Sequence, residues 1–179
     1  MDTASNGTHP KRKHPRLKEY DYSLPGYYYV TVQTASPDVR LSVIEREAGT
    51  DRALVRLTRL GKHARTQLFE LEKRYDYIKI DKYVIMPTHI HMIVRFIGGP
   101  DATEPRPDLP AVIGTFKSLT TRKANEAFDT PGRKLFQTSF YDMVLRSEKG
   151  YQDCWRYIDG NPSKWLEAEE GSVIQHDTI

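Results

Sequence analysis

The chain has 179 residues, 38% of them hydrophobic, a length and composition that suit one globular domain built on a single core. Its formal net charge is +3, but residues 163–179 hold one Lys and four acids, so the rest of the chain carries +6 and electrostatics favour an acidic partner such as nucleic acid. The single cysteine, Cys154, excludes an internal disulfide and a zinc-finger ligand set, no apolar run approaches the ~18 residues of a membrane span, and no signal-peptide core follows the start, so a bacterial-type cytoplasmic protein is expected.

Residues 1–26 read as a basic arm. Lys11, Arg12, Lys13, Arg16 and Lys18 surround a proline, a composition that suits phosphate contacts by irregular chain, although a solvated tail explains it equally well. After Leu24-Pro25-Gly26, the aromatic and β-branched run from Tyr27 to Thr34 predicts a strand. Two shorter strand-like pieces, 41–44 and 53–57, flank the turn-like Ala48-Gly49-Thr50-Asp51 and predict a hairpin. Leu60, Ala64, Leu68 and Leu71 recur at helical spacing, so residues 60–75 predict an amphipathic helix.

Tyr83 to Phe96 is rich in β-branched and aromatic residues on both sides of Pro87-Thr88, and predicts two strands meeting at a tight turn. His89 and His91 open the second strand. At i and i+2 they share a face, roughly 7 Å apart at Cα, so both imidazoles can converge on one cation or one phosphate. Met92 and Val94 are expected to continue that face as an apolar surface while Ile90 enters the core. The pattern is weak alone, since 6 His in this length give an H-x-H match about 0.2 times by chance.

Residues 98–108, dense in Gly and Pro, predict a mobile connector. Val112, Ile113, Phe116 and Leu119 then mark a helix over 109–128, whose Lys117, Arg122 and Lys123 form either a solvated or a DNA-facing side. Residues 135–145 read as extended. A last helix from Glu148 to about Asp159 is expected to end at Gly160-Asn161-Pro162 and to leave 163–179 as an acidic tail. Tyr157 and Asn161 stand four residues apart, the spacing at which helical side chains overlie one another, so they can share a site with the histidines. The competing reading has Tyr157 and Trp155 in the core and Asn161 capping the helix.

Met86-Pro87-Thr88-His89-Ile90-His91-Met92-Ile93-Val94 resembles the M-P-N-H-x-H-hydrophobic signature of single-tyrosine transposases of the HUH endonuclease superfamily. Residues 16–32 resemble that family's R-L-x-x-Y-D-Y-S-x-P-G-x-Y-F-V-T-I opening, 113–122 its V-G-x-F-K-S helix, 136–148 its W-Q-x-x-Y-Y-E-H-I-I-R-N-E run, and 155–165 its R-x-Y-I-x-x-N-P-x-x-W ending. Together they cover most of residues 12–165 in one order and point to the branch called REP-associated tyrosine transposases. Phe136, Met143 and Ser147 stand where the family pattern has Trp, His and Asn.

The resemblance implies an α/β (α+β) fold, a ferredoxin-like antiparallel sheet with helices on one face, as a catalytic domain over 27–162. It implies His89 and His91 as ligands of Mg²⁺ or Mn²⁺, Asn161 in the place of the third ligand, and Tyr157 as nucleophile, with Tyr141 as the alternative nucleophile. The implied activity is that of a transposase, a metal-dependent single-stranded DNA endonuclease and strand transferase. Single-stranded or hairpin DNA is the implied partner of a monomer or homodimer, nucleoid-associated when bound. Lys11, Arg12, Lys13, Arg16, Lys18, Lys117, Arg122 and Lys123 would grip phosphates, with Tyr20 and Tyr22 available for base stacking. A non-catalytic nucleic-acid-binding module on the same fold, and a zinc hydrolase built on His89 and His91, are the other function classes.

Overall fold

Alternation in the first strand sets the architecture. The computed structural model describes Leu17, residues 19–98 and residues 106–176, with side chains described to residue 169. In β1 (Gly26–Gln33), Tyr28, Val30 and Val32 are fully buried on one face, while Tyr27, Tyr29 and Thr31 project from the other, as the two-residue period of a strand requires. β2 (Ser42–Arg46) and β3 (Ala53–Leu57) form the expected hairpin as a separate two-stranded sheet.

The helix α1 (Arg59–Arg74) starts where Thr58 Oγ1 accepts from Gly61 N at 3.0 Å and buries Ala64, Leu68 and Leu71. β4 (Ile78–Ile85) and β5 (His89–Phe96) follow, joined by the short turn containing Pro87 and Thr88. α2 (Leu109–Phe128) begins behind Asp108, whose carboxylate accepts from Ala111 N, with Pro110 in its first turn. β6 (Tyr141–Leu145) is shorter than the extended stretch expected over 135–145; only an isolated bridge between Thr34 and Phe136 precedes it.

The main sheet has the order β4-β5-β1-β6 with every neighbouring pair antiparallel. The units β1–α1–β4 and β5–α2–β6 each span one intervening strand, which is the ferredoxin-like arrangement. α1 and α2 cover the face bearing Tyr28, Val30, Ile90, Met92 and Val94, where the larger core lies. A third helix, α3 (Glu148–His176), covers the opposite face through Tyr29, Ile93, Leu145 and Ile158, so the helices are not confined to one side.

Three expectations are corrected here. Met92 and Val94 do not share the histidine face: β5 runs without a bulge, so odd positions His89, His91 and Ile93 form one face and Ile90, Met92 and Val94 the other. The last helix does not stop at 159 but continues through Pro162 to His176, so most of the acidic tail is helical. Proline inside a helix costs about 3 kcal/mol and withdraws the donor that would meet the Ile158 carbonyl. Burial of Ile158, Asn161 and Pro162 within one turn, with Trp165 following a turn later, offsets that cost by packing. Tyr20 and Tyr22 are not free for stacking on bases, because Tyr22 is buried and packs edge-on to Tyr20, whose hydroxyl lies 3.4 Å from that of Tyr28. Of the connector 98–108, residues 99–105 lie outside the described residues; on its far side Arg106 donates to the Ile97 carbonyl at 3.1 Å.

Candidate active site

Cross-strand register brings the site residues into one row. His91 on β5 lies opposite Thr31 on β1, and Thr31 lies opposite Tyr141 on β6, all on the α3 face. His89 is one pleat further along β5, and its ring centroid is 4.5 Å from that of His91. The pair predicted from H-x-H spacing is therefore assembled.

His91 is 5% exposed. Its Nδ1 lies 2.8 Å from the Tyr29 hydroxyl and 2.9 Å from Thr31 Oγ1, while its Nε2 is buried without a hydrogen-bond partner. Burial pushes the His91 pKa down to about 3, and the neighbouring His89 pushes the same way, because a charged imidazole would lose its hydration. Burial also holds His89 below the usual imidazole value, opposed by a hydrogen bond to the Asn161 side chain. Both rings are thus neutral at physiological pH, the protonation state in which imidazole ligates metal.

α3 supplies the rest. Ser147 Oγ accepts from Gly150 N at 3.1 Å and caps the helix, so Ser serves where the family pattern has Asn. Further along α3, Tyr157 stands 43% exposed with its ring centroid 5.3 Å from that of His91 and 6.2 Å from that of Tyr29. Trp155 is also exposed, so neither ring packs in the core. Asn161 is buried inside the helix and reaches His89, so it does not cap a helix end. Tyr157 and Asn161 come from the same chain as the histidines they approach. Tyr141 projects from the same sheet face, and its ring packs edge-on to Tyr29 at 6.1 Å.

The orphaned His91 Nε2, the neutral His89 and the Asn161 amide offer two imidazole nitrogens and one amide oxygen, donor types that ligate divalent cations. Among the described residues no group of three or more His, Cys, Asp or Glu is arranged to hold a metal ion.

The described basic residues predicted for DNA, Lys117, Arg122 and Lys123, do not gather at this site. Lys11, Arg12, Lys13, Arg16 and Lys18 lie outside the described residues. Lys117 donates to the Thr138 carbonyl at 2.7 Å. Arg122 and Lys123 line a separate concavity of about 540 Å³ with Lys73 and Arg74, between α1 and α2 across the sheet from the histidines. Sequence reasoning missed Tyr29, Thr31, Trp165, whose ring lies 6.0 Å from His89, and Lys164, whose Nζ lies 5.6 Å from the Tyr157 ring centre. Tyr29 and Thr31 repeat the i, i+2 spacing of the histidines on the neighbouring strand, a signal that becomes readable only with the register.

No family model matches the chain. A solved structure of a REP-associated tyrosine transposase bound to a REP hairpin superposes with a TM-score of 0.61 at 19% identity, covering 84% of this chain and 74% of that one. The chain has the fold of a REP-associated tyrosine transposase. An uncharacterized protein of Haemophilus influenzae is 25% identical over 186 residues, 92% of this chain and 96% of that protein. Within the transposase fold, the histidine strand, the central β1 and α3 are the elements that carry the site. No helix among the described residues is long and apolar enough to cross a membrane.

Proposed function

We propose that this protein is a REP-associated tyrosine transposase, a metal-dependent single-stranded DNA endonuclease and strand transferase acting on hairpin-containing repeat DNA. The observation that carries the reading is the exposed Tyr157 hydroxyl-bearing ring set beside a buried His91 whose Nε2 has no partner in the protein. The hairpin-bound state of the transposase with the same fold supports the substrate class, as does the net +6 carried by residues 1–162.

His89, His91 and Asn161 would hold Mg²⁺ or Mn²⁺. Bound there, the cation supplies Lewis-acid neutralisation of the phosphodiester charge that otherwise repels an oxygen nucleophile. Tyr157 Oη attacks the phosphorus, a Tyr157–phosphorus bond forms, and the bond from phosphorus to the 3′ oxygen breaks. The phenolic proton is balanced by the released 3′-hydroxyl, and the strand is left as a 5′-phosphotyrosine. Because one ester is exchanged for another, attack by a hydroxyl on the phosphotyrosine rejoins strands without ATP. Asn161, on the same helix as Tyr157, hydrogen-bonds His89 and so ties the helix of the nucleophile to the histidine strand. α3 packing on Ile93 and Leu145 excludes water beneath the histidines.

The test is a denaturing gel of protein mixed with labelled single strands from the DNA flanking its gene and Mg²⁺. A covalent protein–DNA adduct that disappears with EDTA supports the reading. Tight binding of the same strands with no adduct under any divalent cation would instead assign a non-catalytic binding module.

A further inference from the structure

His91 has two distinct sides. One nitrogen, Nδ1, faces two hydroxyl oxygens at 2.8 and 2.9 Å, and Thr31 Oγ1 in turn donates to the Tyr29 hydroxyl at 3.3 Å. The other, Nε2, is buried and has no partner. A neutral imidazole carries one proton, and where it sits decides what His91 can do: a proton on Nδ1 leaves Nε2 as a bare lone pair for a cation, whereas a proton on Nε2 makes it a donor to a phosphate oxygen.

The two oxygens around Nδ1 discriminate between these states. A proton on Nδ1 can be shared between both, each oxygen accepting with a lone pair. Thr31 has one hydroxyl proton and gives it to Tyr29, so its Oγ1 meets Nδ1 at 2.9 Å with lone pairs only, and that contact is a hydrogen bond only when Nδ1 carries the proton. We propose that Tyr29 and Thr31 are positioning residues that hold His91 in the Nδ1–H tautomer and so aim a bare Nε2 into the site as a cation ligand. The proposal rests on the function proposed above for its purpose, but the tautomer belongs to the protein alone. Both residues lie on β1, whose register with β5 places Thr31 directly opposite His91 and Tyr29 two positions away on the same face. Outer hydrogen bonds of this kind set ring orientation and basicity at metal-binding histidines, and losing them costs about 10–100-fold in metal affinity.

The experiment uses the full chain, labelled with ¹⁵N-histidine and free of metal and DNA. Long-range ¹H–¹⁵N spectra at neutral pH report which His91 nitrogen carries the proton. The expected result is a protonated Nδ1 and a bare Nε2 in the wild type. In Y29F and T31V together the preference weakens and the dissociation constant for Mn²⁺, titrated without DNA, rises by about 10–100-fold, with each single variant intermediate. A wild-type spectrum with the proton on Nε2 overturns the proposal, even if the protein cleaves DNA. So does a folded double variant that keeps both the wild-type tautomer and the wild-type Mn²⁺ affinity. Should the double variant fail to fold, the wild-type spectrum and the single variants decide. Failure of the endonuclease reading shows separately, as absence of an adduct in a protein whose His91 is in the expected tautomer.

Discussion

Tyr157 and Tyr141 can be separated by removing one oxygen each. Tyr157→Phe keeps a half-exposed ring and costs at most about 1 kcal/mol of stability, yet covalent adduct formation should vanish, while Tyr141→Phe should retain it. An adduct that survives Tyr157→Phe and disappears in Tyr141→Phe would move the nucleophile to β6. The histidines differ from each other in a way their spacing did not reveal. His89→Ala should abolish cleavage and strands the buried Asn161 amide, whereas His91→Ala strands both the Tyr29 and the Thr31 hydroxyls; each should cost roughly 1–3 kcal/mol, His91→Ala the more; urea denaturation separates stability from catalysis, and cleavage at the wild-type level by either variant would remove it from the site. The depressed His91 pKa makes a further prediction for the metal-free protein. Its folded value of about 3 lies below the unfolded imidazole value, so the unfolded chain binds the extra proton first as pH falls. Stability contributed by neutral His91 is complete above the unfolded value near 6.5 and is lost toward about 3, with a limiting slope of about 1.4 kcal/mol per pH unit. Urea unfolding in EDTA at several pH values measures it, and a slope unchanged by His91→Gln would assign the acid sensitivity to other groups.

Elements with a strong period were legible in the chain. The strand pair, the hairpin, α1 and α2 follow from alternation and from i, i+3, i+4 spacing, and α2 was bounded at 109 and 128 as observed. The length of α3 was not, because Gly160-Asn161-Pro162 is a stop signal in local terms and only the sheet beneath it makes continuation favourable. Parity along β5 was legible in principle, since a two-residue period puts Ile93 and not Met92 beside His91. Close approaches between elements leave no such trace. Gly61 in the first turn of α1 lies so near the Leu41 backbone that a Cβ there would overlap the Leu41 carbonyl oxygen, which already accepts from Thr58 N and Oγ1. Gly61→Ala should therefore destabilise the protein by roughly 1–3 kcal/mol despite the better helix propensity of alanine, as thermal unfolding would show. A gain in melting temperature would mean that α1 can shift away from Leu41 at no cost.

At the scale of the whole molecule, the sheet divides the surface in two. The histidines, Tyr157 and α3 occupy one face, while Arg122 and Lys123 lie with Lys73 and Arg74 between the helices of the other. Charge counted along the sequence carries no information about this division, which is why the basic residues of α2 were grouped with the site. The division predicts how each basic group affects a strand short enough to lie across the α3 face alone. Removing residues 11–18 should lower the slope of log affinity against log salt by roughly 0.7 for each phosphate that the arm no longer neutralises. Arg122→Ala with Lys123→Ala should leave both the slope and the cleavage rate of that strand unchanged, because neither side chain can reach it. Lengthening the strand, or adding a hairpin to it, supplies the comparison: a slope that falls in the double variant only with the longer DNA would mean that nucleic acid wraps from the catalytic face around the sheet edge to the α1–α2 side. If the double variant already weakens the short strand, the catalytic face is not where that strand first binds.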